Sequence, residues 1–112
     1  MCRFRGLTAL PSLLLAMTTS AAAFAQADIP PGKYECWHFS TPLPGMAFTI
    51  KGGGQYVDVE GKSGTYTLSN GQIAFRGGAF DGQHAVFRAG RPPTIAILDP
   101  SGGETESCQP PG

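Results

Sequence analysis

Polar and apolar side chains alternate with a period of two in several short stretches of the chain, and glycine or proline separates one stretch from the next. A period of two places successive side chains on opposite faces of the backbone, as in a half-buried β-strand. None of the stretches keeps a helical period over a useful length. The pattern predicts seven or eight strands, at residues 34–39, 47–50, 55–59, 64–68, 73–75, 84–88, 95–97 and 104–109.

The segments between these strands carry the residues that turns require. Asn70-Gly71 is the strongest hairpin signal, because both residues accept the positive φ angles of a type I′ turn. Residues 41–45 hold two prolines and a glycine, which a central strand does not tolerate. Short strands spaced about 8–12 residues apart are typical of a sandwich or a small barrel. We therefore predict an all-β antiparallel meander that curls into one of these two architectures.

The first 25 residues have the composition of a secretory signal peptide. Two arginines form a positive region, residues 7–17 form an apolar stretch too short to span a bilayer, and small residues follow. Cleavage after Ala25 leaves a single β domain of residues 26–112, and cleavage after Ala27 is the alternative. We expect the exported protein in the periplasm or secreted, with no stable membrane insertion once the signal is removed.

Two cysteines, Cys36 and Cys108, remain after the signal peptide and lie near opposite ends of the exported chain. An oxidising compartment favours their pairing, and bridged cysteines need Cα atoms within about 7 Å of each other. We therefore predict a disulfide that brings the first and last strands together, as when a sheet curls toward closure. Free thiols, a metal pair and an intermolecular disulfide are the alternatives.

Composition and charge narrow the class of partner. Removing residues 1–25 leaves 87 residues with all eight acidic residues but six of the eight basic ones, so the net charge becomes −2. No basic run survives, which argues against a nucleic-acid partner. Glycine and proline are abundant, at 16 and 10 in the whole chain, yet aromatic residues fall between them at strand-like spacing. That spacing indicates one folded domain rather than a disordered segment.

The ionisable residues do not form a recognisable catalytic or metal-binding motif. Asp58 and Glu60 fall on one face of a predicted strand, as a carboxylate pair for acid–base work would, but the adjoining turn favours solvation. Asp81 precedes His84 by three residues, without a nucleophile at recognisable spacing. The two cysteines and two histidines match no zinc spacing. We predict no catalytic residue, no metal site and no cofactor, and hence no enzymatic activity.

Four aromatic residues are candidates for a binding surface, namely Trp37, Phe39, Tyr56 and Tyr66. The strand at residues 34–39 carries aromatics on both faces, so one set covers the core and the other lines an outer surface or a barrel mouth. We expect Trp37 in the core, whereas an exposed Trp37–Phe39 pair would indicate a contact site. Tyr56 and Tyr66 each lie two residues after a glycine at the start of a predicted strand, a position typical of aromatics that pack in the core. An aromatic row that stacks on sugar rings is the alternative.

A resemblance adds to this interpretation. The stretch from Phe48-Thr49-Ile50 through Gly82 contains a G-x-Y-x-D turn, a G-x-I-x-F strand and an F-x-G-G-x-x-x-G turn in succession. This stretch resembles small exported β-rich proteins of Gram-negative bacteria that carry two outlying cysteines. The resemblance implies a periplasmic β protein. Its motifs are structural, so it assigns no activity and no site residue to this chain.

Three classes of function follow, and the first is the one that the sequence favours. It is a non-catalytic binding or interaction module, working as a monomer on an unknown protein or a small apolar ligand. The second is a lipocalin-like carrier with its ligand in the barrel mouth, although a chain of this length leaves little room for a cavity. The third is an enzyme, which would need Asp58, Asp81 and His84 to converge in one cleft.

Overall fold

The structure is a computed structural model, and it describes residues 28–112. The predicted signal peptide, residues 1–25, and both cleavage positions lie outside the described residues. Two 3₁₀ turns, Pro44–Met46 and Gly78–Phe80, precede the third and seventh strands. In this part of the chain no helix is long and apolar enough to cross a membrane. The strands are β1 (Gly32–His38), β2 (Thr41–Pro42), β3 (Phe48–Gly52), β4 (Gln55–Asp58), β5 (Ser63–Ser69), β6 (Gln72–Arg76), β7 (His84–Arg88), β8 (Thr94–Leu98) and β9 (Glu104–Gln109).

Eight of these strands form a closed antiparallel barrel. The order around the ring is β1-β3-β4-β5-β6-β7-β8-β9, and β9 pairs back with β1. Strand β2 lies outside the ring and pairs with the end of β1, where His38 is opposite Thr41. The predicted all-β meander is therefore confirmed, and it is a barrel rather than a sandwich. The proline-containing segment supplies only this two-residue strand, at an edge position that proline tolerates.

The tightest predicted turn is present. Asn70 and Gly71 have φ angles of 52° and 77°, and Ser69 pairs with Gln72 across them. Both central residues of a type I′ turn need positive φ, which asparagine and glycine reach at low cost. The β5–β6 hairpin therefore forms where the sequence predicts it.

The barrel interior is filled by the inward face of each strand. Phe48 contacts Phe80 edge-on with ring centroids 5.0 Å apart, and Phe75 lies 5.2 Å from both Phe80 and Tyr56. These offset and edge-to-face arrangements suit the charge distribution of aromatic rings. Burial of this apolar surface is the main force that stabilises so small a domain. The buried apolar residues are Ile29, Tyr34, Cys36, Ala47, Phe48, Ile50, Tyr56, Tyr66, Ile73, Phe75, Phe80, Ala85, Ile95, Ala96, Ile97 and Cys108.

Two side chains from outside the strands enter the interior from opposite ends. Ile29 precedes β1 and is fully buried, and the adjoining Asp28 carboxylate accepts a hydrogen bond of 2.7 Å from the Tyr66 hydroxyl. Phe80 lies in the connection from β6 to β7 and is also buried. In an antiparallel meander the start of β1 and the β6–β7 connection fall at opposite ends of the barrel. The sequence pattern did not identify either residue as part of the core.

Tyr56 holds the β6–β7 connection against the barrel. Its hydroxyl donates to the Gly77 carbonyl oxygen and accepts the Phe80 N–H at 3.0 Å. The ring fits beside Gly64, where an added Cβ would overlap it and would lie only 2.7 Å from the Gly77 carbonyl oxygen. Gly64 is therefore a position of close approach, at which any side chain displaces either Tyr56 or the neighbouring backbone.

We predict that Gly64→Ala lowers the free energy of unfolding by about 1–3 kcal/mol, because overpacking forces the Tyr56 ring or the backbone to move. Gly45→Ala is the matched control, since no atom lies within 4 Å of its added Cβ. That variant should change stability by less than about 0.5 kcal/mol. Urea unfolding of the oxidised proteins, followed by circular dichroism, measures both values. Equal stabilities for the two variants would contradict this account of Tyr56.

Candidate functional site

Cys36 and Cys108 form the predicted disulfide. They are direct register partners in the β1–β9 pair, with Cα atoms 3.9 Å apart, and both side chains are buried. The bridge joins the first strand of the ring to the last, at the point where the barrel closes. It is therefore a structural element, and its two sulfur atoms are not free for a ligand.

Two of the four candidate surface aromatics lie inside the protein. Tyr56 and Tyr66 are buried, so they cannot line an outer surface, and this part of the sequence prediction is corrected. Burial raises the pKa of both phenols above the usual 10.0, and the hydrogen bond to Asp28 adds to the increase at Tyr66. Both hydroxyls therefore stay neutral and serve as hydrogen-bonding groups of the core.

The other two candidates, Trp37 and Phe39, lie on the outside. Tyr34 and Cys36 face the interior, so Trp37, one position further along β1, points outward and is 39% exposed. The expectation that Trp37 packs in the core was wrong. Both faces of β1 carry aromatic residues, and the inward face is the one that holds the bridged cysteine. Phe39 follows the end of the strand and is 90% exposed.

Trp37 and Phe39 line an open groove of about 790 Å³ on the outer surface. We call it the Trp37 groove. A second cleft lies on the other side of Trp37 and includes Val59, which is 53% exposed. In residues 28–112 these three side chains are the large apolar groups that are exposed, and all three lie at these two adjoining depressions. Four prolines also line the Trp37 groove, namely Pro92, Pro93, Pro110 and Pro111.

Polar side chains surround Trp37 in the groove, and strand register places them there. Glu35 is opposite Gln109 and Trp37 is opposite Ser107 across the β1–β9 pair, so all four share the outer face. Gln109 Nε2 donates to Thr94 Oγ1 at 3.0 Å, which orients its carboxamide. The groove therefore combines an aromatic ring with a carboxylate, an amide and a hydroxyl. The guanidinium-bearing Arg91 lines the same groove.

Phe39 has an unusual backbone conformation. Its φ angle is +55°, in the left-handed region that non-glycine residues rarely adopt. The His38 ring packs edge-on against it, with centroids 4.7 Å apart, and His38 Nδ1 donates to the Thr105 carbonyl oxygen at 2.9 Å. The ring buries little apolar surface, and its backbone conformation is strained. Strain of this kind is often concentrated at functional sites.

Asp58 and Asp81, two of the ionisable residues that the sequence singled out, accept hydrogen bonds from the backbone of turns. Asp58 is 7% exposed, and its carboxylate accepts the N–H groups of Glu60 and Lys62 at 2.8 and 2.9 Å. Asp81 accepts the Gly77 N–H at 2.8 Å. These contacts close the β4–β5 turn and the start of the β6–β7 connection.

Within residues 28–112, no three histidine, cysteine, aspartate or glutamate side chains come together in a group that could hold a metal ion. His38 is one of the two histidines whose spacing from the cysteines matches no zinc site. The contact of its ring with Phe39 depends on a turn conformation that no sequence motif predicts.

The chain matches no protein-family model, no curated protein and no solved structure.

Exchanging the residues of two turns tests whether Phe39 contributes to the free energy of unfolding. Phe39→Asn places a residue that tolerates positive φ in the β1–β2 turn, so we expect stability to stay equal or rise by up to about 1 kcal/mol. Asn70→Phe places an aromatic ring at φ 52° in the β5–β6 turn, and we expect a loss of about 1–2 kcal/mol. Chemical unfolding measures both. A clear loss of stability in Phe39→Asn would show that the aromatic ring is structural.

Proposed function

We propose that this protein is an exported, non-catalytic binding module that engages its partner through the Trp37 groove. One observation carries the proposal: the exposed large apolar side chains of residues 28–112 gather at Trp37 and the two depressions beside it. Scattered surface apolar residues are ordinary, but a cluster rimmed by polar groups is typical of an interaction site. Tryptophan and arginine, both present here, are enriched among residues that dominate binding energy.

The strain at Phe39 supports the same interpretation. An aromatic side chain that is 90% exposed gains almost no stability from burial, and its backbone at φ +55° costs stability. Asparagine or glycine would form this turn at lower cost, as Asn70-Gly71 does in the β5–β6 hairpin. A residue that the fold does not need is retained most readily where a partner contacts it.

The alternative function, a lipocalin-like carrier, has less support. A carrier needs an apolar cavity within the barrel, and the centre of this one holds the packed rings of Phe48, Tyr56, Phe75 and Phe80. Ile29 and Phe80 enter it from opposite ends. An eight-stranded barrel is just wide enough for side chains to fill, and here they do so. Binding at the outer surface is therefore the better-supported proposal.

Site-specific photo-crosslinking in cells that export the protein tests the proposed function. A benzoylphenylalanine at position 39 should capture a discrete partner, whether protein or glycan, because this position is the most exposed aromatic of the groove. The same photo-reactive residue at position 67 is the control. Thr67 is exposed on β5, which lies across the barrel from β9.

Mass analysis of the two sets of adducts gives the answer. A partner captured at position 39 and absent at position 67 supports the proposal. The same adducts at both positions, or none at position 39, would contradict it.

A further inference from the structure

We propose that the ligand of the Trp37 groove is an oligosaccharide built of pyranose rings. The inference rests on the proposed function and names the class of ligand for it. It follows from the combination of an exposed aromatic platform with a mixed set of hydrogen-bonding side chains, which strand register fixes around that platform.

The platform is the indole of Trp37, with Phe39 beside it. Trp37 lines the groove on one side and the Val59 cleft on the other, so its side chain stands between the two depressions. The C–H groups on the face of a pyranose carry partial positive charge, and the face of an aromatic ring is negative. Stacking of a sugar on the indole therefore buries apolar surface on both partners while the sugar hydroxyls point sideways.

The side chains around the platform match those hydroxyls. Glu35 offers an acceptor, Arg91 offers donors, and Ser107 and Gln109 offer both. The bond to Thr94 uses one N–H of the Gln109 carboxamide, which leaves its oxygen and its second N–H for a ligand. A sugar hydroxyl donates and accepts at once, so a pyranose can satisfy all of these groups within one ring or two.

Other classes of ligand leave more of the hydrogen-bonding groups in the groove without partners. A proline-rich peptide would stack on Trp37, but proline has no N–H and such a peptide offers mainly carbonyl acceptors. Such a peptide would bring few donors to the Glu35 carboxylate, whose ion-pair partner in the structure is Lys33. A purely apolar ligand would remove water from Glu35 and Arg91 without offering either charge a hydrogen bond, which is costly.

Glu35 is also free to change partners. Its carboxylate lies 3.8 Å from Lys33 Nζ, and the lysine and glutamate side chains are 59% and 44% exposed. An exposed pair at this separation contributes little to stability. A ligand hydroxyl can therefore replace the lysine at low cost, and the loss of this ion pair does not threaten the fold.

The sequence contains one tryptophan, so its fluorescence reports the groove alone. We would titrate the oxidised protein with chitotetraose, cellotetraose and maltotetraose, and with a polyproline peptide as the competing class. The expected result is a saturable change of Trp37 emission with at least one oligosaccharide and none with the peptide. Calorimetry on Trp37→Ala, which lacks the fluorophore, should show that binding is lost.

Three variants that keep Trp37 test the polar part of the site. Glu35→Gln and Gln109→Ala should each weaken the binding of that oligosaccharide about tenfold. Glu35→Gln replaces a charged acceptor of the sugar hydroxyl with a weaker neutral one, and Gln109→Ala removes a hydrogen bond to a sugar hydroxyl. Glu60→Gln is the matched control, since Glu60 is an exposed carboxylate outside the groove. Its affinity should equal that of the unaltered protein.

The outcomes separate this inference from the proposed function. No response to any of the three oligosaccharides, or equal affinity in all three polar variants, would overturn the glycan assignment. A response to polyproline alone would do the same, but the groove would remain a binding site. If position 39 also captured no partner in cells, the proposed function would fail with it.

Discussion

The pairing of β1 with β9 is the contact on which the rest of this structure depends. It turns an eight-stranded meander into a ring, so neither the first nor the last strand is left with a row of unpaired backbone groups. The Cys36–Cys108 disulfide lies in the middle of that pairing, between register partners. Closing a loop with a sequence separation of 72 stabilises the fold by about 4 kcal/mol in the chain-entropy model. For a domain this small, such a contribution is comparable to the whole net stability.

Closure also creates the candidate site. Trp37 and Glu35 come from the first strand of the ring, whereas Ser107 and Gln109 come from the last. These residues are about 70 positions apart in the chain and become neighbours only when the ring closes. At the same time the aromatic core and the inserted Ile29 and Phe80 occupy the interior, so the outer face is where a ligand can be accommodated. The same pairing that stabilises the barrel therefore assembles the groove.

Most of the fold could be predicted from the sequence because its determinants are local. The alternation at Ile73 and Phe75, or at Ile95 and Ile97, identifies inward faces directly. The two cysteines indicate which strands meet. Ile29 and Phe80 escaped prediction because each lies in an irregular segment, where no periodicity distinguishes a core residue from an exposed one.

The candidate site was predictable only in part. The strand that carries Trp37 has aromatic residues on both faces, so alternation alone does not tell which face is inward. The buried disulfide resolves this, because Cys36 must face Cys108 inside the barrel and its neighbour Trp37 must then point outward. Tyr56 and Tyr66 were candidates both for core packing and for a binding surface, and the structure buries them. A glycine two residues before Tyr56 or Tyr66 indicates where a strand begins, but it does not indicate whether the tyrosine ring lies on the inner or the outer face of the sheet.

Native-state hydrogen exchange at the β1–β9 seam tests the closed barrel most directly. The account predicts that amides of the Glu35–Gln109 and Trp37–Ser107 pairs are protected to a degree similar to those of Thr67 and Ala74 in the β5–β6 hairpin. Rapid exchange along β1 and β9, with protection retained in β5 and β6, would contradict it. That result would mean an open sheet held only by its disulfide, without a groove between the first and last strands.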